Sequence, residues 1–313
     1  MGLHSKHRLV VVGNGMVGHR FLEELCDRAD SREYQITVFC AEPRLAYDRV
    51  HLSSYFSHHT SEELSLVKPG FYERHGIEVR LGEAVKQIDR AAQQVHSNKG
   101  STVGYDTLIL ATGSYPWVPP ITGAQHHECF VYRTIEDLKA IRAAAKQGKS
   151  GVVIGGGLLG LEAAGALKAL GLQTHVVEFA PVLMAEQLDR LGGEMLRRTI
   201  ESMGVQVHTS KQTQAIQMHA GKTAAHRLEF ADGSELEVDV VVFSTGIRPQ
   251  DTLARYGDLA IAERGGIVID DHCRTADPHI YAIGECAAWH GRFFGLVAPG
   301  YKMAQVAVDH LLG

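Results

Sequence analysis

Two glycine fingerprints of one kind constrain this chain more than any other feature. The first, Gly13-Asn14-Gly15-Met16-Val17-Gly18, follows the apolar run Leu9-Val10-Val11-Val12. The second, Gly155-Gly156-Gly157-Leu158-Leu159-Gly160, follows Val152-Val153-Ile154 and leads into the small-residue stretch Leu161-Glu162-Ala163-Ala164-Gly165-Ala166-Leu167. Each reads as a strand, a tight turn and a helix. The first glycine permits the turn, the second lets backbone approach a pyrophosphate, and the third lets the helix pack on the strand. The helix N-terminus then presents free N–H groups and the positive end of its dipole to the phosphates. A lone G-x-G-x-x-G is a weak signal. Two of them, each with its strand and helix, imply two dinucleotides on one chain and electrons moving from one to the other.

The 313 residues predict about two domains. A net charge of −5 argues against nucleic acid as the main partner. No apolar run approaches the roughly 20 residues that span a bilayer. Residues 1–8 lead directly into a strand, so no signal peptide is expected, and Lys6 stands where a myristoylation motif wants Ser or Thr. A cytoplasmic protein without membrane contact is expected. Cys26, Cys40, Cys129, Cys273 and Cys286 have neither C-x-x-C nor C-x4-C spacing. This argues against a redox dithiol, a zinc site or an iron–sulfur cluster. His58-His59 and His126-His127 have no matching acid or thiol cluster, read as surface residues, and no metal is expected.

Along the chain, strand 9–13, a helix near 15–28 and strand 35–39 form one mononucleotide-binding half. Thr60-Ser61-Glu62-Glu63 has capping-box spacing and predicts a short helix. Residues 77–105 read as a small antiparallel insertion, and 105–113 as a buried strand ending in Ala111-Thr112-Gly113. Pro116, Pro119 and Pro120 mark a linker, and Thr134-Ile135-Glu136-Asp137 caps a helix to about Lys146. The second unit begins at Gly151, with a helix over 158–170 and a strand over 174–178. A helix at about 187–203 and strands at 205–209, 213–218 and 225–230 follow. Residues 238–246 repeat the organisation of 105–113, an acid, a buried strand and Thr-Gly, so the unit is duplicated. Short strands at 265–269 and 275–283 and a helix from about Gly300 to Leu312 close the chain.

The second nucleotide is the better determined. Glu178 stands 23 positions beyond Gly155, near the spacing of about 20 for an acid that accepts the ribose 2′-OH. A carboxylate there repels a 2′-phosphate, and Phe179, Ala180 and Pro181 offer no arginine to neutralise one. NADH is favoured over NADPH.

Taken together, the two fingerprints, Ala-Thr-Gly at 111–113, Thr-Gly at 245–246 and Tyr281-Ala282-Ile283-Gly284-Glu285-Cys286 resemble the two-dinucleotide flavoprotein disulfide-reductase superfamily. Ala46-Tyr47-Asp48-Arg49-Val50-His51-Leu52-Ser53 and Arg133-Thr134-Ile135-Glu136-Asp137 resemble its disulfide-free NADH:ferredoxin and rubredoxin reductases. Residues 12–21, 46–59 and 293–302 are similar to the N-terminal flavoprotein part of the large subunits of NADH-dependent nitrite reductases. The resemblance implies an α/β fold of two Rossmann-like, glutathione-reductase-like dinucleotide-binding domains without the C-terminal interface domain. Residues 1–118 and 247–313 would bind FAD, and 119–246 would bind NADH. It implies FAD contacts from Gly13, Gly15, Met16, Gly18, Glu42, Arg49, Ala111, Thr112, Gly113, Arg133, Gly284 and Glu285. NADH contacts would come from Gly155, Gly157, Leu158, Leu159, Gly160, Glu162, Glu178, Thr245 and Gly246. Glu162 would lie near the flavin–nicotinamide contact, the alternative being an acid in the first helical turn favoured by the dipole.

The implied activity is hydride transfer from NADH to FAD. Onward electron flow would reach an iron–sulfur and siroheme segment, or a small subunit, outside this chain, and the full-length protein would be a possible homodimer. The alternatives are a free-standing NADH:rubredoxin or ferredoxin reductase and a redox-sensing interaction protein similar to apoptosis-inducing factor. Without the C-terminal domain, weak FAD retention is expected. Three departures stand out. Ala41 falls where the FAD-ribose acid is expected, leaving Glu42 as substitute or as a solvated residue before Pro43. Glu285 replaces the usual Asp. Ser54 replaces the lysine that pairs with a glutamate near the flavin, so that ion pair cannot form.

Overall fold

Leu9 to Val12 carry no polar face, so the strand they form needs cover on both sides, as interior parallel strands do. The computed structural model describes residues 6–30, 33–56, 60, 62–218 and 225–313. In chain order it begins with β1 (His7–Val12), α1 (Met16–Arg28), β2 (Tyr34–Cys40), α2 (Phe71–Arg74) and β3 (Glu78–Leu81). β4 (Val85–Asp89), β5 (Gln94–Ser97), β6 (Thr102–Gly104), β7 (Thr107–Leu110) and β8 (Ser114–Pro116) follow. Next come β9 (Cys129–Val131), α3 (Ile135–Ala145), β10 (Ser150–Ile154), α4 (Leu158–Ala169), β11 (Gln173–Val177), α5 (Arg190–Ser202) and β12 (Gln206–His208). β13 (Thr213–Met218), β14 (His226–Phe230), β15 (Glu235–Val238), β16 (Val240–Phe243) and β17 (Ile247–Pro249) complete the middle of the chain. It closes with α6 (Thr252–Tyr256), β18 (Ile267–Ile269), β19 (Ile280–Ala282), β20 (Ala287–Trp289) and α7 (Val297–Leu312).

The chain divides into two compact units. The described residues of Met1–Val50, Leu64–Tyr115 and Arg248–Gly313 make the first, and those of His51–Glu63 and Pro116–Ile247 the second. Each holds a five-stranded parallel sheet, ordered β3-β2-β1-β7-β19 in the first and β12-β11-β10-β16-β9 in the second. In both, the strand before the fingerprint is central and the strand order reverses beside it, where α/β sheets open a crevice for ligands. The outer strand is supplied differently in the two sheets: β19 follows the other four strands of its sheet in the chain, whereas β9 precedes the other four of its own. Apart from these sheets, β4–β6 and β13–β15 form separate antiparallel sheets.

Several expectations need correction. β3 pairs in parallel with β2 (Val38 opposite Val79), so the antiparallel insertion begins only at β4. The described residues of His51–Glu63 belong to the second unit. There Arg142 donates to the Tyr55 carbonyl and its guanidinium lies 4.4 Å from the Tyr55 ring centroid. The capping-box bonds at Thr60 do form, from Thr60 N to Glu63 Oε2 (2.7 Å) and from Glu63 N to Thr60 Oγ1 (3.3 Å). Ser61 lies outside the described residues. The chain turns at 62–64 instead of continuing as a helix, because the next residues bond to 46–48 (Asp48 N to Leu64 O, 2.8 Å; Leu66 N to Ala46 O, 3.1 Å). α7 begins at Val297, three residues early, since Pro299 is tolerated in a first turn whose N–H groups need no helical partner. Among the described residues, no helix is long and apolar enough to cross a membrane.

The histidines are more structural than expected. His58 and His59 lie outside the described residues. His127 is exposed, but the His126 ring stacks on buried His226. In the second unit His175 and His208 face each other across β11 and β12, Nδ1 to Nε2, at 3.0 Å. Burial, then the neighbouring His208, lowers the His175 pKa to about 4, and burial likewise lowers those of His208, His19 and His226. An unfolded chain takes up these protons near pH 6.5, so stability is present above that pH and drains away between about 6.5 and 4. The unfolding midpoint should therefore fall between pH 7 and pH 5, and fall less in His175→Gln. An identical fall in both proteins would contradict this origin.

Candidate functional site

The two fingerprint loops have nearly the same geometry. Gly13 and Gly155 have φ of +109° and +119°. A Cβ on either would lie 2.2 Å from a carbonyl oxygen of the adjoining strand end, that of Ala111 or of Ser244. A Cβ on Gly18 would come within 2.1 Å of the Gly13 oxygen, and one on Gly160 within 1.9 Å of the Gly155 oxygen. The outer glycines are thus required by the protein's own packing. The middle ones are not: a Cβ on Gly15 or Gly157 meets no described atom within 4 Å. These two open positions are the N-caps of α1 and α4, and neither helix has a side-chain cap. By contrast, Thr134 and Asp137 form a capping box on α3, and Asp189 caps α5. An open cradle at an uncapped helix N-terminus fits a pyrophosphate.

At the second loop, the Glu178 carboxylate is fixed by two backbone donors. Gly156 N–H donates to Oε2 (2.5 Å) and Ala180 N–H to Oε1 (2.6 Å). A Cβ on Gly156 would sit 2.6 Å from Leu183 Cδ2 and 3.0 Å from Glu178 Oε2, so a larger residue there must displace those side chains. Each carboxylate oxygen keeps a lone pair for a ribose hydroxyl.

The first loop reverses this pair. Gly13 N–H bonds to Phe39 O (2.9 Å) as Gly155 N–H bonds to Val177 O (2.8 Å). The place of Glu178 is therefore taken by Cys40, not Ala41, and that of Gly156 by Asn14. Cys40 is buried, its thiol donates to Arg44 O, and burial raises its pKa, which disfavours a reactive thiolate. Asn14 Oδ1 accepts from the Tyr72 hydroxyl (2.9 Å), and His19 Nδ1 lies 3.1 Å from the same hydroxyl. Glu42, two residues beyond Cys40, is joined to Arg49 by an ion pair and accepts from the Tyr47 hydroxyl (2.8 Å). The Arg49 guanidinium lies 4.7 Å from the Tyr47 ring centroid, and its backbone N–H points at Met16 Sδ (3.4 Å). Glu42, Arg49 and Met16 thus meet at one place. Tyr47, which joins them, is the residue that sequence reasoning missed, although it sits in the quoted 46–53 motif.

The Thr-Gly pairs do matching structural work. Thr112 Oγ1 donates to Gln250 O (2.6 Å), and Gln250 N–H donates to Gly113 O (2.8 Å). Thr245 Oγ1 donates to Trp117 O (2.5 Å), and Trp117 N–H donates to Gly246 O (2.9 Å). Each hydroxyl anchors a segment next to a unit boundary. Glu285 accepts from Ser114 Oγ (2.7 Å), and Gly284, with φ +80°, has room only for hydrogen against Val17 of α1. Arg133 falls in the second unit, unlike the other residues expected to hold FAD, and its N–H donates to Asp137 Oδ2 (3.1 Å).

Glu162 is the fifth residue of α4, beyond the first turn in which the sequence suggested it. Ser53 Oγ donates directly to its carboxylate. This charge-assisted bond comes from the residue just before Ser54. The Tyr132 hydroxyl is buried nearby, and its pKa is raised by burial and then by the Glu162 charge. Leu158, at the start of α4, is largely exposed, while Leu159 is half-buried. All five cysteines are free, and burial raises the thiol pKa of Cys26 and Cys129 to about 11 and of Cys273 to about 12. Among the described residues, no group of three or more His, Cys, Asp or Glu has the arrangement of a metal site.

The family model for pyridine nucleotide-disulphide oxidoreductases matches residues 7–310. The nitrite reductase (NADH) large subunit of Escherichia coli is 67% identical over 309 residues, covering 99% of this chain but only 36% of that protein. The rubredoxin-NAD(+) reductase of Alcanivorax borkumensis is 32% identical, covering 98% of this chain and 79% of its own length. Among solved structures, a ferredoxin reductase from Rhodopseudomonas palustris superposes with a TM-score of 0.89 at 26% identity, covering 98% of this chain and 76% of that one.

The loop geometry separates two kinds of glycine substitution. Gly18→Ala and Gly160→Ala should each lower stability by about 1–3 kcal/mol, from overpacking. Gly15→Ala and Gly157→Ala should unfold like wild type but lose affinity for FAD and NADH respectively by at least about tenfold, or about 1.4 kcal/mol. Thermal unfolding and dinucleotide titration check this. A Gly15→Ala protein with undiminished FAD affinity would contradict the cradle.

Proposed function

The chain belongs to the pyridine nucleotide-disulphide oxidoreductase family, and on that premise we propose that it takes hydride from NADH onto FAD and passes the electrons onward. It does so as the electron-input module of an NADH-dependent nitrite reductase, which converts nitrite to ammonium. The observation that carries the proposal is the duplicated loop with unequal partners, Glu178 in one unit and Cys40 in the other. Two cradles of one design prepared for different ribose environments suit two different dinucleotides.

When bound, nicotinamide supplies a hydride, and flavin accepts it and releases electrons singly. Gly157 and the first turn of α4 would receive the NADH pyrophosphate, and Glu178 its adenosine ribose. Gly15, the first turn of α1, Glu42 and Arg49 would hold the corresponding parts of FAD, with Glu285 nearer the flavin end. Glu162, fixed by Ser53, would orient the nicotinamide. No protein acid or base is required, since alignment of the two rings supplies the catalysis. The scattered, unpaired cysteines suit a protein that hands electrons to iron–sulfur and siroheme groups in another segment or subunit, within the reducing cytoplasm. The free-standing rubredoxin reductase reading has a relative matched over most of its length. The identity of 67% to a nitrite reductase favours the first.

NADH added without air to the FAD-loaded protein should bleach the flavin at about one equivalent. The ratio of kcat/KM for NADH over NADPH, with ferricyanide as acceptor, should fall at least about tenfold in Glu178→Gln, the scale of one charge-assisted hydrogen bond. Flavin that stays oxidised under excess NADH would defeat the proposal, and an unchanged ratio would remove Glu178 from coenzyme choice.

A further inference from the structure

We propose that Phe179 is the adenine platform of the NADH site, its ring stacking on the base and setting affinity for the whole dinucleotide. The inference rests on Glu178 being the ribose acid. Phe179 is 72% exposed, an unusual place for a large aromatic side chain. Its backbone is nonetheless held on both sides. Glu178 N–H bonds to His208 O (2.8 Å), Lys211 N–H to Glu178 O (3.0 Å), and Ser210 N–H to Ala180 O (3.0 Å). Ala180 N–H also closes back on Glu178 Oε1 (2.6 Å). The turn is therefore fixed, and it carries a largely exposed ring one residue along from a fixed carboxylate.

A ribose bonded through its hydroxyls to that carboxylate carries its base on the next ring carbon, one residue's reach away. Every base has a π-face, and stacking on an aromatic side chain needs no polar partner. An uncharged ring adds no attraction for a 2′-phosphate. Phe179 and Glu178 thus divide the adenosine between them, the carboxylate reading the ribose hydroxyls and the ring covering the base.

The test compares wild type, Phe179→Ala and Phe179→Trp in the full FAD-loaded chain. Calorimetric titration with ADP-ribose reads the adenosine end alone, and oxidation of NADH and of reduced nicotinamide mononucleotide reads the rest. Phe179→Ala should weaken ADP-ribose binding and raise the KM for NADH about tenfold. It should leave kcat and mononucleotide oxidation unchanged, and Phe179→Trp should restore affinity. Unchanged ADP-ribose affinity in Phe179→Ala, or equal loss with NADH and the mononucleotide, would overturn the platform while the NADH site stands. Wild type that binds no ADP-ribose would overturn the NADH reading and the platform with it.

Discussion

Each half of this protein depends on one close approach, in which a glycine near the start of a helix lies against the carbonyl of the glycine ending the preceding strand. At Gly18 and Gly160 a single added carbon would come within 2.1 Å and 1.9 Å of that oxygen. The contact draws α1 over β1, and α4 over β10, so that each helix begins where its strand ends. The first-turn N–H groups then face the crevice at the strands' carboxyl ends, where the middle glycine leaves open space. A larger residue at the close contact would push the helix away and turn its N-terminus off the crevice. The placement of each helix N-terminus follows from that contact.

On this shared frame the two halves differ by a reciprocal exchange. Where the second unit combines Gly156 with Glu178, the first combines Asn14 with Cys40. The glycine donates its N–H to the carboxylate and cannot bear a side chain without striking it. In the first unit Asn14 stands in the place of that glycine and accepts from the Tyr72 hydroxyl. A carboxylate, Glu42, stands two residues further along the chain, where Arg49 and Tyr47 hold it. One strand, turn and helix thereby carries two different sets of neighbouring side chains.

The features set by local pattern were legible in the sequence. Both fingerprints, the strand–helix–strand order, the Thr134 cap and the amphipathic α5 depend on neighbours a few residues away. What escaped depends on contacts between distant segments. β3 joins the parallel sheet because β2 offers it an open edge, which no local periodicity announces. The turn at 62–64 is ended by bonds to residues 46–48. Cys40 is recognisable as the counterpart of Glu178 only through the bond from Gly13 to Phe39. The Thr112 and Thr245 hydroxyls each donate to a carbonyl more than a hundred residues away (Gln250 and Trp117), partners that the motif does not reveal. Ser53 reaches Glu162 across 109 residues, a pairing that sequence spacing does not reveal.

The central claim, that one chain holds two different dinucleotides in two cradles, is tested most directly by amide hydrogen exchange, with FAD added first and NAD+ second. FAD should slow exchange at residues 13–18, 111–113 and 284–286, and NAD+ should then slow it at 155–160 and 178–180. Protection of the same fingerprint by both ligands, or of neither, would contradict it.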